Sequence, residues 1–157
     1  MASGYQGRPS GYPDQRPQAP SYTLSTDDIR LKDIPKTLFS DIAKAKAATV
    51  FEAGGGKNGR LNKSTQLRRF YDELVLWYEK VHFERTPKER AAKYDEVEPF
   101  IQMLVAKVAY AKGREHVDEC FEKMYAHLIR QITDSDSLKH AKLFMEAFMG
   151  FYKAQEK

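Results

Sequence analysis

The sequence predicts an all-α protein, a compact bundle of about five helices behind a disordered N-terminal tail. Three observations carry that prediction. Apolar residues recur at three- and four-residue spacing through most of residues 26–157, and no stretch sustains the two-residue alternation of a strand. Pro, Gly and Ser-Asp punctuation falls between the periodic runs. At 157 residues, 41% apolar and 31% charged, the chain has the size and composition of one globular domain with a real core. No run approaches the ~18 apolar residues a membrane span needs. The first residues lack the apolar core of a secretory signal, so a cytoplasmic location is the plain expectation. A single cysteine, Cys120, excludes an internal disulfide and a paired-cysteine zinc site.

Residues 1–25 are the expected tail, set apart from a single domain over 26–157. The first 22 are mainly Gly, Pro, Gln, Ser, Arg and Tyr, with too little apolar surface to offset ordering entropy. Tyr5, Tyr12 and Tyr22 alternate with Arg8 and Arg16, so the tail reads as a linker. Weak stacking on RNA is the other use of that composition. The first helix is expected from Pro35, a favoured first-turn residue, to Ala53, where Gly54-Gly55-Gly56 stops it. Leu38, Phe39, Ile42 and Ala45 carry its spacing, and a loop from Gly54 to Lys63 follows.

Ser64 is the expected N-cap of the second helix, which runs to about Arg85 with Leu67, Phe70, Tyr71, Leu74, Tyr78 and Val81 as its stripe. Thr86-Pro87 opens the next helix, expected through about Glu96, and Pro99 predicts a kink or a restart. From Phe100 to Ala111 the chain is apolar nearly all round, the pattern of a central helix, and Gly113 closes it. A further helix, about Glu115 to Thr133, lines up Val117, Phe121, Met124, Leu128 and Ile132. Asp134-Ser135-Asp136-Ser137 breaks the pattern and caps the last helix, which carries Leu138, Ala141, Phe144, Met145, Phe148 and Tyr152. Short links between such helices make antiparallel neighbours.

The net charge of +4 conceals an asymmetry: residues 1–29 sum to −1, residues 30–69 to +7 and residues 70–157 to −2. Concentrated positive charge points to a polyanionic partner. The glycine-rich segment Gly54–Arg60 fails as a nucleotide-phosphate loop, because Arg60-Leu61 stands where Lys and Ser or Thr are required and a helix precedes it. What remains is a flexible basic loop whose Lys57, Arg60 and Lys63 either touch a phosphate backbone or are simply solvated. Glu79 and His82 have the spacing of a di-iron pair without the companions such a site needs. His116 and Cys120 make two metal ligands, or a nucleophile and base with nothing to orient them. The expectation is no metal, no cofactor, no catalytic residue and hence no enzyme.

Two basic features remain. Arg68 and Arg69 stand in the first turn of the second helix, where a cation opposes the helix dipole unless a bound phosphate reverses the preference. On a helical wheel Arg69 points away from the core and Arg68 flanks it. Lys107 interrupts the apolar run and must snorkel, pair or face a ligand. With Lys112 and Arg114 at the same helix end it forms a second basic site, although cations near a helix C-terminus are favourable without any ligand. Leu76, opposite the core stripe, and Trp77, at its edge, hint at contact with another subunit.

The segments Thr65–Leu74 (Thr-Gln-Leu-Arg-Arg-Phe-Tyr-Asp-Glu-Leu), Phe100–Arg114 (Phe-Ile-Gln-Met-Leu-Val-Ala-Lys-Val-Ala-Tyr-Ala-Lys-Gly-Arg) and Leu143–Lys153 (Leu-Phe-Met-Glu-Ala-Phe-Met-Gly-Phe-Tyr-Lys) occur in that order. Together they resemble the small-subunit family of type III-A CRISPR effector (Csm) complexes, over roughly residues 60–154. The resemblance implies a non-catalytic helical subunit of antiviral defence, present in more than one copy per complex. It implies that the subunit lines the groove where guide RNA pairs with target RNA and holds the duplex backbone without reading sequence. The implied neighbours are the repeated backbone subunit that cleaves target RNA, the large polymerase-type subunit and further copies of itself. Carried over by position, Arg68, Arg69, Lys107, Lys112 and Arg114 are the candidate RNA contacts. Lys57, Arg60 and Lys63 are candidates by charge alone, in a triglycine loop that departs from the family pattern. The rival reading is a helical adaptor that binds only protein through Leu76, Trp77 and the aromatic last helix. A DNA-binding helix-turn-helix protein is a third, for which no recognition-helix surface stands out.

Overall fold

A computed structural model describes residues 21–157, so Tyr5, Arg8, Tyr12 and Arg16 of the expected tail lie outside the described residues. A π-helical turn, Leu38–Ile42, leads into α1 (Ala43–Ala53), followed by α2 (Ser64–His82), α3 (Pro87–Gln102), α4 (Leu104–Gly113), α5 (Glu119–Arg130) and α6 (Ser135–Gln155). Only Met103 separates α3 from α4, so the described residues form five rods and no strand, as the periodicity predicts. None of these helices is long and apolar enough to cross a membrane.

α6 is the central element, packed against both α1 and α2 through Leu138, Ala141, Phe144, Met145, Phe148 and Tyr152. Rings from four helices meet there. Phe148 stacks on Tyr152 at 5.6 Å, Phe51 meets Tyr152 edge-on at 5.7 Å, and Phe121 and Tyr125 of α5 close on Phe70 of α2 at 5.6 and 5.0 Å. Offset and edge-on pairs of this kind add to the area they bury. The buried Tyr125 hydroxyl donates to the Phe70 carbonyl at 3.0 Å, so the ring carries its polar atom into the core satisfied.

The chain joins this core before residue 26. Leu24 is buried, as are Ile29 and Leu31, so the last residues of the expected tail are packed and not free. Side chains of α5 and α6 clasp this segment. His127 bonds the Ile29 carbonyl at 2.9 Å, His140 the Leu31 carbonyl at 2.9 Å, and the Gln131 side chain accepts from the Leu31 N–H at 3.1 Å. Lys46 of α1, buried, is neutralised by Asp28 at 3.0 Å. His82 is likewise committed to a backbone carbonyl, that of Ser135, at 3.0 Å.

Several boundaries differ from expectation for local reasons. Ser64 is the first helical residue of α2 and not its cap: Lys63 is extended (φ −62, ψ 139) and its carbonyl accepts from the N–H groups of Gln66 and Leu67 at 2.8 and 3.1 Å. α3 does not end at Glu96. It runs through Pro99 because Tyr94, Val97 and Ile101 keep one buried stripe going, and the break falls a turn later at Met103. α5 starts at Glu119, not Glu115, because Asp118 is the N-cap, accepting from the Phe121 N–H at 3.0 Å, while Glu115 sits at φ +58. Gln102 closes the far end of α5 by donating to the carbonyls of Ile129 and Ile132 at 3.2 and 3.3 Å. The Asp134–Ser137 capping box that opens α6 is the one the sequence signals.

One expectation fails outright. The apolar run Phe100–Ala111 is not a central helix. α4 lies on α5 at the edge of the bundle, burying Leu104, Val108 and Ala111. Its other faces leave Met103 48% and Tyr110 68% exposed, and Phe100 at the end of α3 is 52% exposed.

Candidate nucleic-acid interface

The glycine loop determines where α2 begins. It is not the flexible segment its composition suggests. Gly54 approaches the loop's return strand so closely that a Cβ would come within 2.5 Å of the Leu61 carbonyl oxygen, and Gly55 turns at φ +107. Gly56–Asn58 make a 3₁₀ turn, and the Leu61 N–H donates to the Gly54 carbonyl at 3.3 Å. Asn62 then ties the loop down from within the core. Its Nδ2 donates to the Val50 carbonyl at 3.0 Å and to Asp118 Oδ1 at 2.7 Å, and its Oδ1 accepts the Asp118 N–H at 2.8 Å. Its backbone N–H donates to the His116 carbonyl at 3.1 Å, and its carbonyl accepts the Tyr152 hydroxyl. Asn62 was not among the residues singled out from sequence; its only signals are a polar residue after the glycine loop and its type, since Asn tolerates the left-handed φ of +57 found there.

The eight candidate cations fall on different surfaces. Lys57 is exposed on the loop and Lys63 on the approach to α2. Arg60 and Lys112 meet in a cleft of about 590 Å³ between the loop and the end of α4, but Glu115, Asp118 and Glu119 line the same cleft. Three carboxylates beside two cations make that cleft a poor seat for phosphate. Arg68 faces α6. It shares a groove of about 340 Å³ with Ser64, Thr65, Tyr71 and Lys153, where Gly150 leaves room, and its Nε lies 3.9 Å from Asp72. Lys153 was overlooked in the sequence, hidden in an aromatic helix that reads as core. The Tyr71 phenol in this groove is raised by burial, with Glu146 adding to the shift.

Lys107 and Arg114 lie on α4 and at its end, and Arg69 stands one turn before Glu73 on α2. Lys107 Nζ pairs with Glu73 Oε1 at 2.9 Å, and the Phe100 ring stacks on Trp77 at 5.7 Å and 14°. These two contacts run α2 and the α3–α4 rod antiparallel: as α2 is followed back from Trp77 to Glu73, its partner advances from Phe100 to Lys107. One further turn reaches Arg69 on α2 and Tyr110 on α4, and Arg114 lies a turn beyond Tyr110. Lys107, Tyr110 and Arg114 share one face of α4 by their spacing, and all three are exposed. Of the three fates open to Lys107, it pairs, at the surface.

Nucleophilic chemistry finds no support at Cys120. Burial, followed by the neighbouring Asp118, pushes its thiol up to about 11, and the Sγ–H donates to the Tyr22 carbonyl at 3.3 Å. Among the described residues no three His, Cys, Asp or Glu side chains converge as metal ligands.

The sequence model of the family described as Csm2 Type III-A matches residues 36–157. That span reaches further toward the N-terminus than the likeness over residues 60–154, and it runs through the glycine loop. No curated protein and no solved structure matches the chain. The three segments that carry the likeness form the start of α2, the α3–α4 junction with all of α4, and the second half of α6. With everything from Lys36 to the last residue matched, the chain belongs to the Csm2 Type III-A family, the small structural subunits of type III-A CRISPR complexes.

Proposed function

We propose that this subunit holds the guide RNA–target RNA duplex within the effector complex by sequence-independent contacts to its backbone, and that it helps assemble the complex for antiviral defence in the cytoplasm. One observation carries the reading: Lys107 and Arg114 are exposed at one-face spacing on α4, and Lys107 bonds Glu73 of α2, one turn from the exposed Arg69. Cations gathered in this way bind phosphate without reading bases, and base pairing supplies the specificity. Arg68 with Lys153 forms a second contact at the start of α2, whose first N–H groups lack a side-chain cap and favour an anion. Lys57 and Lys63 add charge nearby, while Arg60 and Lys112, facing carboxylates, contribute least. No catalytic step is assigned to this chain. Its protein neighbours would be the repeated backbone subunit, the large polymerase-type subunit and further copies of itself.

Salt titration of RNA binding by the assembled complex tests this. Each lost phosphate contact lowers the log–log slope by roughly 0.7–0.9. The combined variant Arg69→Ala/Lys107→Ala/Arg114→Ala is expected to weaken binding and flatten the slope by about 2–3 for each copy engaged. Unchanged affinity and slope would leave the adaptor reading, in which the subunit meets only protein. That rival draws on an exposed apolar face at the other end of α2.

A further inference from the structure

The ring of Tyr110 is 68% exposed, turned away from the face of α4 that buries Leu104, Val108 and Ala111. One exposed ring is ordinary by itself, and here its surroundings select a ligand. Lys107 precedes it by three residues and Arg114 follows it by four, so a cation stands one turn to either side of the ring on the same face. From Met103 to Arg114 the chain carries Lys107, Lys112 and Arg114 and no carboxylate. Ala106 and Gly113, also exposed, flank the ring at four- and three-residue spacing, and their side chains are too short to cover its face. A Cβ added at Gly113 would meet nothing within 4 Å, so the approach from that side is open.

We propose that Tyr110 stacks on an unpaired base of a bound RNA strand, with Lys107 and Arg114 holding phosphates to either side of that nucleotide. The inference rests on the RNA reading above and sharpens it to a kind of RNA. In an uninterrupted duplex each base is covered by its neighbours above and below, so only the cations of this face would find a partner. Bases that leave the stack are the ones that proteins take onto aromatic rings. A bare ring with a cation on each side matches the alternation of phosphate and base along an open strand. Stacking is tolerant of sequence because every base has a π-face, so the contact keeps the subunit indifferent to which base it holds.

Fluorescence anisotropy on the purified full-length chain at low salt tests this with three labelled RNAs: a fully paired duplex, the same duplex with one bulged nucleotide, and a single strand. Tyr110→Ala is expected to weaken binding of the bulged duplex and the single strand about 5–150-fold, the range of one lost base stack. Affinity for the paired duplex and the salt slope should stay at the wild-type values, as should the urea midpoint, since the ring is exposed. Tyr110→Phe should bind all three RNAs like wild type. With 2-aminopurine as the bulged base, its fluorescence should fall on binding the wild-type chain and not on binding Tyr110→Ala. Lys107→Ala/Arg114→Ala should weaken all three RNAs and flatten the salt slope. Equal losses on the paired and bulged duplexes with Tyr110→Ala, or no loss on either, overturn the stacking inference and leave the RNA reading standing. A chain that binds none of the three RNAs removes both. If Tyr110→Ala binds RNA normally but fails to enter the assembled complex, the ring belongs to a protein contact and the inference is wrong.

Discussion

Glu73 holds Lys107 across the gap between α2 and α4, with 2.9 Å between Oε1 and Nζ. Both side chains are partly exposed, so the pair adds under about 1 kcal/mol to stability. On the proposed RNA reading, the Glu73 carboxylate competes with phosphate for Lys107. Glu73→Gln is therefore expected to raise RNA affinity of the complex at low salt severalfold and to steepen the log–log salt slope by about 0.7–0.9. The urea midpoint of the isolated subunit should barely move. A slope that does not change would remove Lys107 from the list of contacts.

Asn62 makes a different kind of prediction. Asn62→Ala leaves the Asp118 N–H without its partner, takes one of two donors from the Val50 carbonyl and from Asp118 Oδ1, and forces alanine into φ +57. One buried group left unpaired costs about 1–3 kcal/mol, and the left-handed backbone angle adds about 1 kcal/mol, so a loss of roughly 2–4 kcal/mol in urea unfolding is expected. Asn62→Gly accepts the backbone angle but restores no hydrogen bond. It should recover only about 1 kcal/mol of that loss.

The glycines of the loop and of α6 should behave oppositely. Gly54→Ala drives a methyl against the Leu61 carbonyl and should destabilise by about 1–3 kcal/mol. Gly150, inside α6, has nothing within 4 Å of the added Cβ. Gly150→Ala should stabilise by about 0.5–1 kcal/mol, while narrowing the groove beside Arg68. Paired urea curves separate the two effects.

Asp134 should give α6 an acid-sensitive start. The Ser137 hydroxyl, and after it the Ser137 backbone N–H, hold the Asp134 carboxyl below its ordinary value, against the opposing pull of burial. A carboxyl lowered by folding contributes in full above its unfolded value, near 3.9, and loses that contribution as pH falls through the folded value. Asp134→Ala should cost about 1 kcal/mol at pH 7, with a smaller gap to wild type near pH 3. Equal gaps at both pH values would show that the cap works without its charge.

Cys120, with its thiol raised to about 11, should resist alkylation. Iodoacetamide at pH 8 is expected to modify the folded chain on the order of a hundredfold more slowly than the chain in urea, where the thiol regains its ordinary acidity. Mass spectrometry against time reads both rates.

Most rods could be traced from periodicity because their buried residues recur every three or four positions and two of their starts carry Thr86 and Asp134. What escaped was anything defined by contacts distant in sequence. Asn62 belongs to no stripe, and its importance lies in partners on α1, α5 and α6. Phe100–Ala111 was misplaced because an apolar sequence looks the same whether a helix is enclosed or packs by one face at the edge of a bundle. Leu24, Ile29 and Leu31 are too few to form a pattern, and the segment is held by side chains distant in sequence, His127, Gln131 and His140 among them. Of the two first-turn arginines, both exposed, Arg68 lines the groove beside α6. The acidic company of Arg60 and Lys112 could not be foreseen, since Glu115, Asp118 and Glu119 reach them through a turn.

Asn62 joins the end of α1, the segment between α4 and α5, and α6 at the point where α2 departs. The separation between the cations at the start of α2 and those at the end of α4 is thus set by the interior of the bundle. It does not wait for a ligand to arrange it. The backbone positions that carry these charges are set once, when the chain folds, so that only side-chain freedom is lost at each encounter. Every copy of the subunit is then a gauge cut to the same length, and copies laid side by side would present footholds of constant pitch.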